Sequence, residues 1–88
     1  MIFDDDPSRP FAPIVLDALA GHGLRPLAGT TIDLLRGQVN ELYRYEIRTL
    51  RGRLLAGAIA KASYADAVRG LRRRYLLLSL PKERWRVR

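Results

Sequence analysis

The chain has no cysteine, which excludes disulfides, thiolate nucleophiles and zinc-thiolate sites. Its apolar runs are short, as at Tyr75 to Leu78, and fall far below the ~20 residues of a membrane span. A glycine-rich phosphate loop is missing too, because Gly21-His22-Gly23 is brief and follows no strand. The opening Met1-Ile2-Phe3 leads into three aspartates rather than a basic and then apolar leader, so a cytoplasmic setting is expected. What is present is a basic, moderately apolar chain of 88 residues, with 16 Lys+Arg against 9 Asp+Glu and 48% hydrophobic content. That content argues against disorder. The length allows one small domain with a thin core.

Three segments follow from the pattern. Residues 1–13 hold three of the five prolines and no periodicity, and read as an extended or mobile arm. Residues 14–80 read as an all-α domain. Pro13 suits a first helical turn, and Ile14 to Ala20 forms a short helix halted by Gly21 and Gly23. Thr30 or Thr31 caps a long second helix, with Asp33 favourable near its positive end. Its apolar stripe, Ile32, Leu35, Val39, Tyr43, Ile47, Leu50 and Leu54, keeps helical spacing for over six turns. After a break at Gly57, Ser63 with Asp66 fits a capping box. Tyr64, Val68, Leu71, Tyr75 and Leu78 then mark a third helix, which Pro81 ends. Residues 81–88 form a basic tail, either coil or a short strand.

The turn itself carries a second signal. Leucines lead into Ala56-Gly57, with Ile59 two residues after the glycine and Tyr64 seven after it. This stretch, about residues 50–78, resembles the short C-terminal domain (SHOCT-type) helical hairpin. The resemblance implies a module for oligomerisation and partner contacts. Such hairpins usually place Ser or Thr three residues after the glycine. Here Ala60 stands there, so Ser63 is expected to cap instead and lengthen the turn. Gly57 is expected in the left-handed conformation that stops a helix, with Ile59 folding back over the turn. The small residues Gly52, Ala56 and Ala60 suit a tight antiparallel neck.

No catalytic, cofactor or metal site emerges. His22 is the single histidine and reads as a polar turn residue after a helix end rather than a base partnered by Asp17. The carboxylates show no paired spacing, so the chain is expected not to be an enzyme. The arginines raise the larger question. Arg44, Arg48 and Arg51 project within ~60° of each other on the long helix, and Arg72 and Arg73 add to them on the third. Arg84 and Arg86 flank Trp85. Such groups can neutralise phosphates, and an exposed Trp can stack on an unpaired base. They can equally form solvated faces.

The expected function is therefore a non-catalytic oligomerising or adaptor protein, with a basic nucleic-acid-binding module as the alternative. A second copy or a larger protein is the expected partner. A helix from Thr31 to Ala56 would run ~39 Å, longer than a globule with a radius of gyration near ~12 Å can enclose. An antiparallel two-fold dimer is expected to cover the excess, through Ile32, Leu35, Val39, Tyr43, Leu76, Leu77 and Leu80.

Overall fold

The computed structural model describes residues 4–87. Three α-helices form the frame: α1 Pro13–Gly21, α2 Ile32–Leu55 and α3 Lys61–Arg74. Single 3₁₀ turns follow at Leu76–Leu78 and Lys82–Arg84. The described residues are 63% helical with no strand, and no helix among them is long and apolar enough to cross a membrane.

Local chemistry sets the helix ends. Pro13 opens α1, where its missing N–H costs nothing. At the other end Gly23 takes φ +75°. Its N–H donates to the Ala20 carbonyl at 3.0 Å, and the Leu24 N–H donates to Leu19 at 2.8 Å. These are the two bonds of a Schellman ending. The same pair recurs at the end of α2. Gly57 adopts φ +76°, its N–H donates to Leu54 at 3.1 Å, and that of Ala58 donates to Arg53 at 2.8 Å. The left-handed glycine expected at Gly57 is therefore present.

Thr31 caps the start of α2, its side chain accepting from the Leu34 N–H at 3.2 Å. A second cap comes from far away in sequence: the Asp5 carboxylate accepts from the Ile32 N–H at 2.8 Å.

The third helix departs from expectation at both ends. It starts at Lys61, after an Ala60 cap that makes no side-chain hydrogen bond, so Ser63 lies inside the helix and closes no capping box. Asp66 instead pairs with Arg69. At the C-terminal end, regular helix stops at Arg74 rather than near Leu80, with Tyr75 at φ −102°, ψ 45°. Three consecutive leucines cannot share one helical face. The tighter 3₁₀ turn buries Leu77 completely and leaves Leu78 half-buried and Leu76 exposed.

The core joins Val15 and Leu19 of α1, Ile32, Leu35 and Val39 of α2, and Leu71, Tyr75, Leu77 and Trp85. Trp85 has no exposed surface, and its indole N–H donates to the Leu80 carbonyl at 3.2 Å. The tail is thus a core element rather than a free appendage. The N-terminal segment is packed as well. The Ala12 N–H donates to the Trp85 carbonyl at 2.9 Å and the Val87 N–H to Pro10 at 2.8 Å, with Phe11 and Arg86 opposed in an antiparallel bridge.

Arg86 locks this clasp. Its side chain, 9% exposed, meets Asp5 at 2.5 Å and donates to the carbonyls of Arg9 and Thr30. It also lies 4.1 Å above the Phe11 ring. Burial alone would raise the Asp5 carboxyl, but Arg86 and the Ile32 amide outweigh it and hold its pKa below the usual value.

Side-chain contacts join α2 to the end of α3 and the residue after it: Tyr43 meets Tyr75 edge-on at 5.3 Å, and Glu46 meets Arg74 at 3.3 Å. The molecule is elongated, 49 × 23 × 22 Å, with a radius of gyration of 15.5 Å. At ~1.5 Å per residue α2 spans about 36 Å, so one end projects beyond the core.

Candidate interaction surface

Helix α2 carries two uncharged stripes. The first, Ile32, Leu35 and Val39, faces inward and is buried within one chain. The second lies ~100° round the helix. It runs Leu34, Gln38, Leu42, Tyr45, Thr49 and Gly52, whose last five members alternate spacings of four and three. That is the period of a seam between helices. Leu34 is 56% exposed and Tyr45 68% exposed. These two large apolar side chains stand exposed on one helical face, which makes that face the candidate surface.

Two open depressions border this stripe. One, of about 690 Å³, lies between His22 and Leu24 on one side and Leu34, Gln38 and Leu42 on the other. The second, of about 480 Å³, is walled by Tyr45 and Thr49 of α2 and by Ala67 and Gly70 of α3. Gly70 has nothing within 4 Å of where a Cβ would sit. The small residue therefore widens the groove rather than permitting a close contact already made.

Each depression is lined by one member of a polar cluster, His22 in the first and Glu46 in the second. His22 stacks on Tyr75 with ring centroids 4.3 Å apart. Burial, reinforced by the neighbouring Glu46 carboxylate, pushes the Tyr75 phenol up to about 12, so it remains protonated at neutral pH. His22 Nε2 and Glu46 Oε2 are buried without protein partners. Asp17 is exposed on α1, and no group of three metal-ligating residues occurs among the described residues. The cluster ties the end of α1 to α2 and α3.

Several residues expected at an interface are unavailable for one. Ile32, Leu35, Val39 and Leu77 are consumed by the chain's own core, and Tyr43 and Leu80 pack against it. Only Leu76 of that set is exposed. The reason is that α1, the 3₁₀ turn and the tail cover the stripe that two helices alone would leave open.

The nucleic-acid candidates divide similarly. Arg44, Arg48, Arg51, Arg72, Arg73 and Arg84 are exposed. Trp85 is buried and cannot stack on a base, and Arg86 has its hydrogen-bonding capacity committed to the clasp. Around the turn, Ile59 and Tyr64 are half-buried and Ser63 is exposed.

Sequence reasoning did not single out Leu34, Leu42, Tyr45 or Leu55. The heptad spacing from Gln38 to Gly52 was the available signal, masked by the stronger stripe beside it. Comparison with protein-family models, with curated proteins and with solved structures gives no match.

Proposed function

We propose that this chain is a non-catalytic helical interaction module that docks a partner helix along the second stripe of α2. The observation that carries this reading is the exposure of Leu34, Leu42 and Tyr45 on one face, at seam spacing, beside open grooves. An amphipathic helix would bury these side chains while its polar face remained in water. The likeness of the Gly57 turn to a SHOCT-type hairpin supports the same role, with α2 and α3 as its antiparallel arms.

The alternative, phosphate binding, draws on the exposed arginines but loses the aromatic group that would have held a base. The pair Leu42→Asp and Tyr45→Asp separates the readings. It is expected to leave the melting temperature within a few degrees, because neither side chain belongs to the core. Association measured by light scattering, and by purification from the native host with and without nuclease, is expected to be lost. Association that survives the pair, or that nuclease alone removes, overturns the docking reading.

A further inference from the structure

One edge of the exposed stripe is written so that it matches its own reverse. Positions 34, 41, 48 and 55 of α2 stand seven apart and read Leu, Glu, Arg, Leu. Seven residues are close to two full turns, so these four side chains line a single edge. All four are exposed, and Leu55 at 78% is more exposed than Leu34. Reversed, the edge reads Leu, Arg, Glu, Leu.

We infer that the occupant of the α2 stripe is a second copy of this chain, its α2 antiparallel to the first about a two-fold axis between Arg44 and Tyr45. In that register Leu34 of each copy meets Leu55 of the other, and Glu41 of each meets Arg48 of the other. A parallel pair would set Glu41 against Glu41 and Arg48 against Arg48, which repel. The charge complementarity therefore selects the antiparallel arrangement, and opposed helix dipoles favour it as well. Along the seam Leu42 lies within about 3 Å, measured along the axis, of the level of Tyr45 of the other copy, and Gln38 within the same distance of Thr49.

Three further observations fit. Glu41 meets Arg44 within its own helix at 3.7 Å, with both side chains well exposed. So loose a pair is easily given up or shared. Arg48 makes only a 3.4 Å contact to the Arg44 carbonyl. Leu55 sits at the projecting end of α2, out of reach of the core. An antiparallel partner brings its own Leu34, near its packed end, to cover that side chain. Each copy would thereby support the projecting half of the other. This interface is not the one expected from the sequence, because Ile32, Leu35 and Val39 already serve the fold.

The inference rests on the docking reading and adds the identity and direction of the partner. The absence of cysteine makes cross-linking clean. Positions 34 and 55 lie ~31 Å apart within one helix, so no disulfide can join them inside a chain. The combined variant Leu34→Cys with Leu55→Cys is expected to oxidise to a discrete covalent dimer, while each single variant stays uncross-linked. Cross-linking by either single variant would establish a parallel pair and overturn the inference.

Charge exchange supplies the second measurement. Glu41→Arg alone and Arg48→Glu alone are each expected to weaken self-association at least tenfold, and the two together to restore it. Failure of the combined exchange to restore would also overturn it. A wild-type mass near the 10.0 kDa of one chain at high micromolar concentration refutes self-pairing. The docking reading would survive that result if Leu42→Asp with Tyr45→Asp still abolished a complex with another protein.

Discussion

The two halves of α2 have opposite surroundings. Its first turns supply Ile32, Leu35 and Val39 to a core closed by α1, the 3₁₀ turn and Trp85. From Asn40 to Gly70 no residue is buried. One end of the molecule is therefore specified by long-range packing. The other is packed more thinly, through the partly buried Ile47 and Leu50, with a glycine turn and exposed pairs such as Arg69 with Asp66 beyond them. Local opening is governed by how much apolar contact a segment makes, so the projecting arm is the soft part and the packed base the hard part. The arm also carries much of the exposed stripe. The proposed interface would lie largely on this softer end, where partner binding would add the apolar contact that the arm has least of.

The sharpest way to break this contrast is to empty the base. Trp85→Ala is expected to cost ~3–5 kcal/mol, enough to abolish cooperative unfolding in so small a domain. A change of only a few degrees in melting temperature would show that the tail is not a core element.

The next largest effect is expected at the clasp. Arg86→Ala strands Asp5 and two carbonyls and should cost about 2–3 kcal/mol. Because the folded Asp5 pKa is depressed, its contribution is present above the unfolded value near 3.8 and is lost as pH falls through the folded value. Asp5→Asn should therefore flatten the acid limb of the stability curve below about pH 4. An unchanged limb would remove Asp5 from the account.

Gly57→Val tests the arm. The space around Gly57 is open, so any penalty is a backbone one, roughly 1 kcal/mol or more for a β-branched residue at positive φ. Hydrogen exchange should show lost protection near the turn and little change around Leu35 and Val39. Uniform loss across both halves would mean that they unfold as one unit.

The smallest effect is expected for Arg44→Gln with Arg51→Gln, within about 0.5 kcal/mol of the parent. Titration of nucleic-acid affinity against salt should show little change in slope. A slope flattened by up to about two units would place phosphates on that face.

Much of the base and the turns was legible in the sequence. Gly23 and Gly57 announced their helix ends because only a residue without Cβ adopts those backbone angles cheaply. The stripe from Ile32 to Val39 announced a buried face by its period. The clasp was not legible. Its parts, Asp5 and Arg86, stand 81 positions apart, and nothing local distinguishes Arg86 from Arg84, which is exposed. Trp85 reads as a solvent-facing group because its neighbours are basic, yet the 3₁₀ turn before it carries the indole into the core, Arg86 is drawn into the clasp beside it, and Arg84 alone of the two stays outside. The apolar spacing carries the third helix on to Leu80, past its end at Arg74, because periodicity alone does not register a change from 3.6 to three residues per turn. At the candidate surface, the stronger inward stripe drew attention from the weaker outward one.

The clasp also ties the two ends of the chain to the core. Both glycine-ended helix boundaries arise from contacts a few residues apart, which form within microseconds. Bringing Asp5 to Arg86 closes a loop that spans 81 positions, at an entropic cost of roughly 4 kcal/mol by chain statistics. The burial of Trp85 beside α1 and the start of α2 offsets that cost, so the clasp and the core it closes stand or fall together.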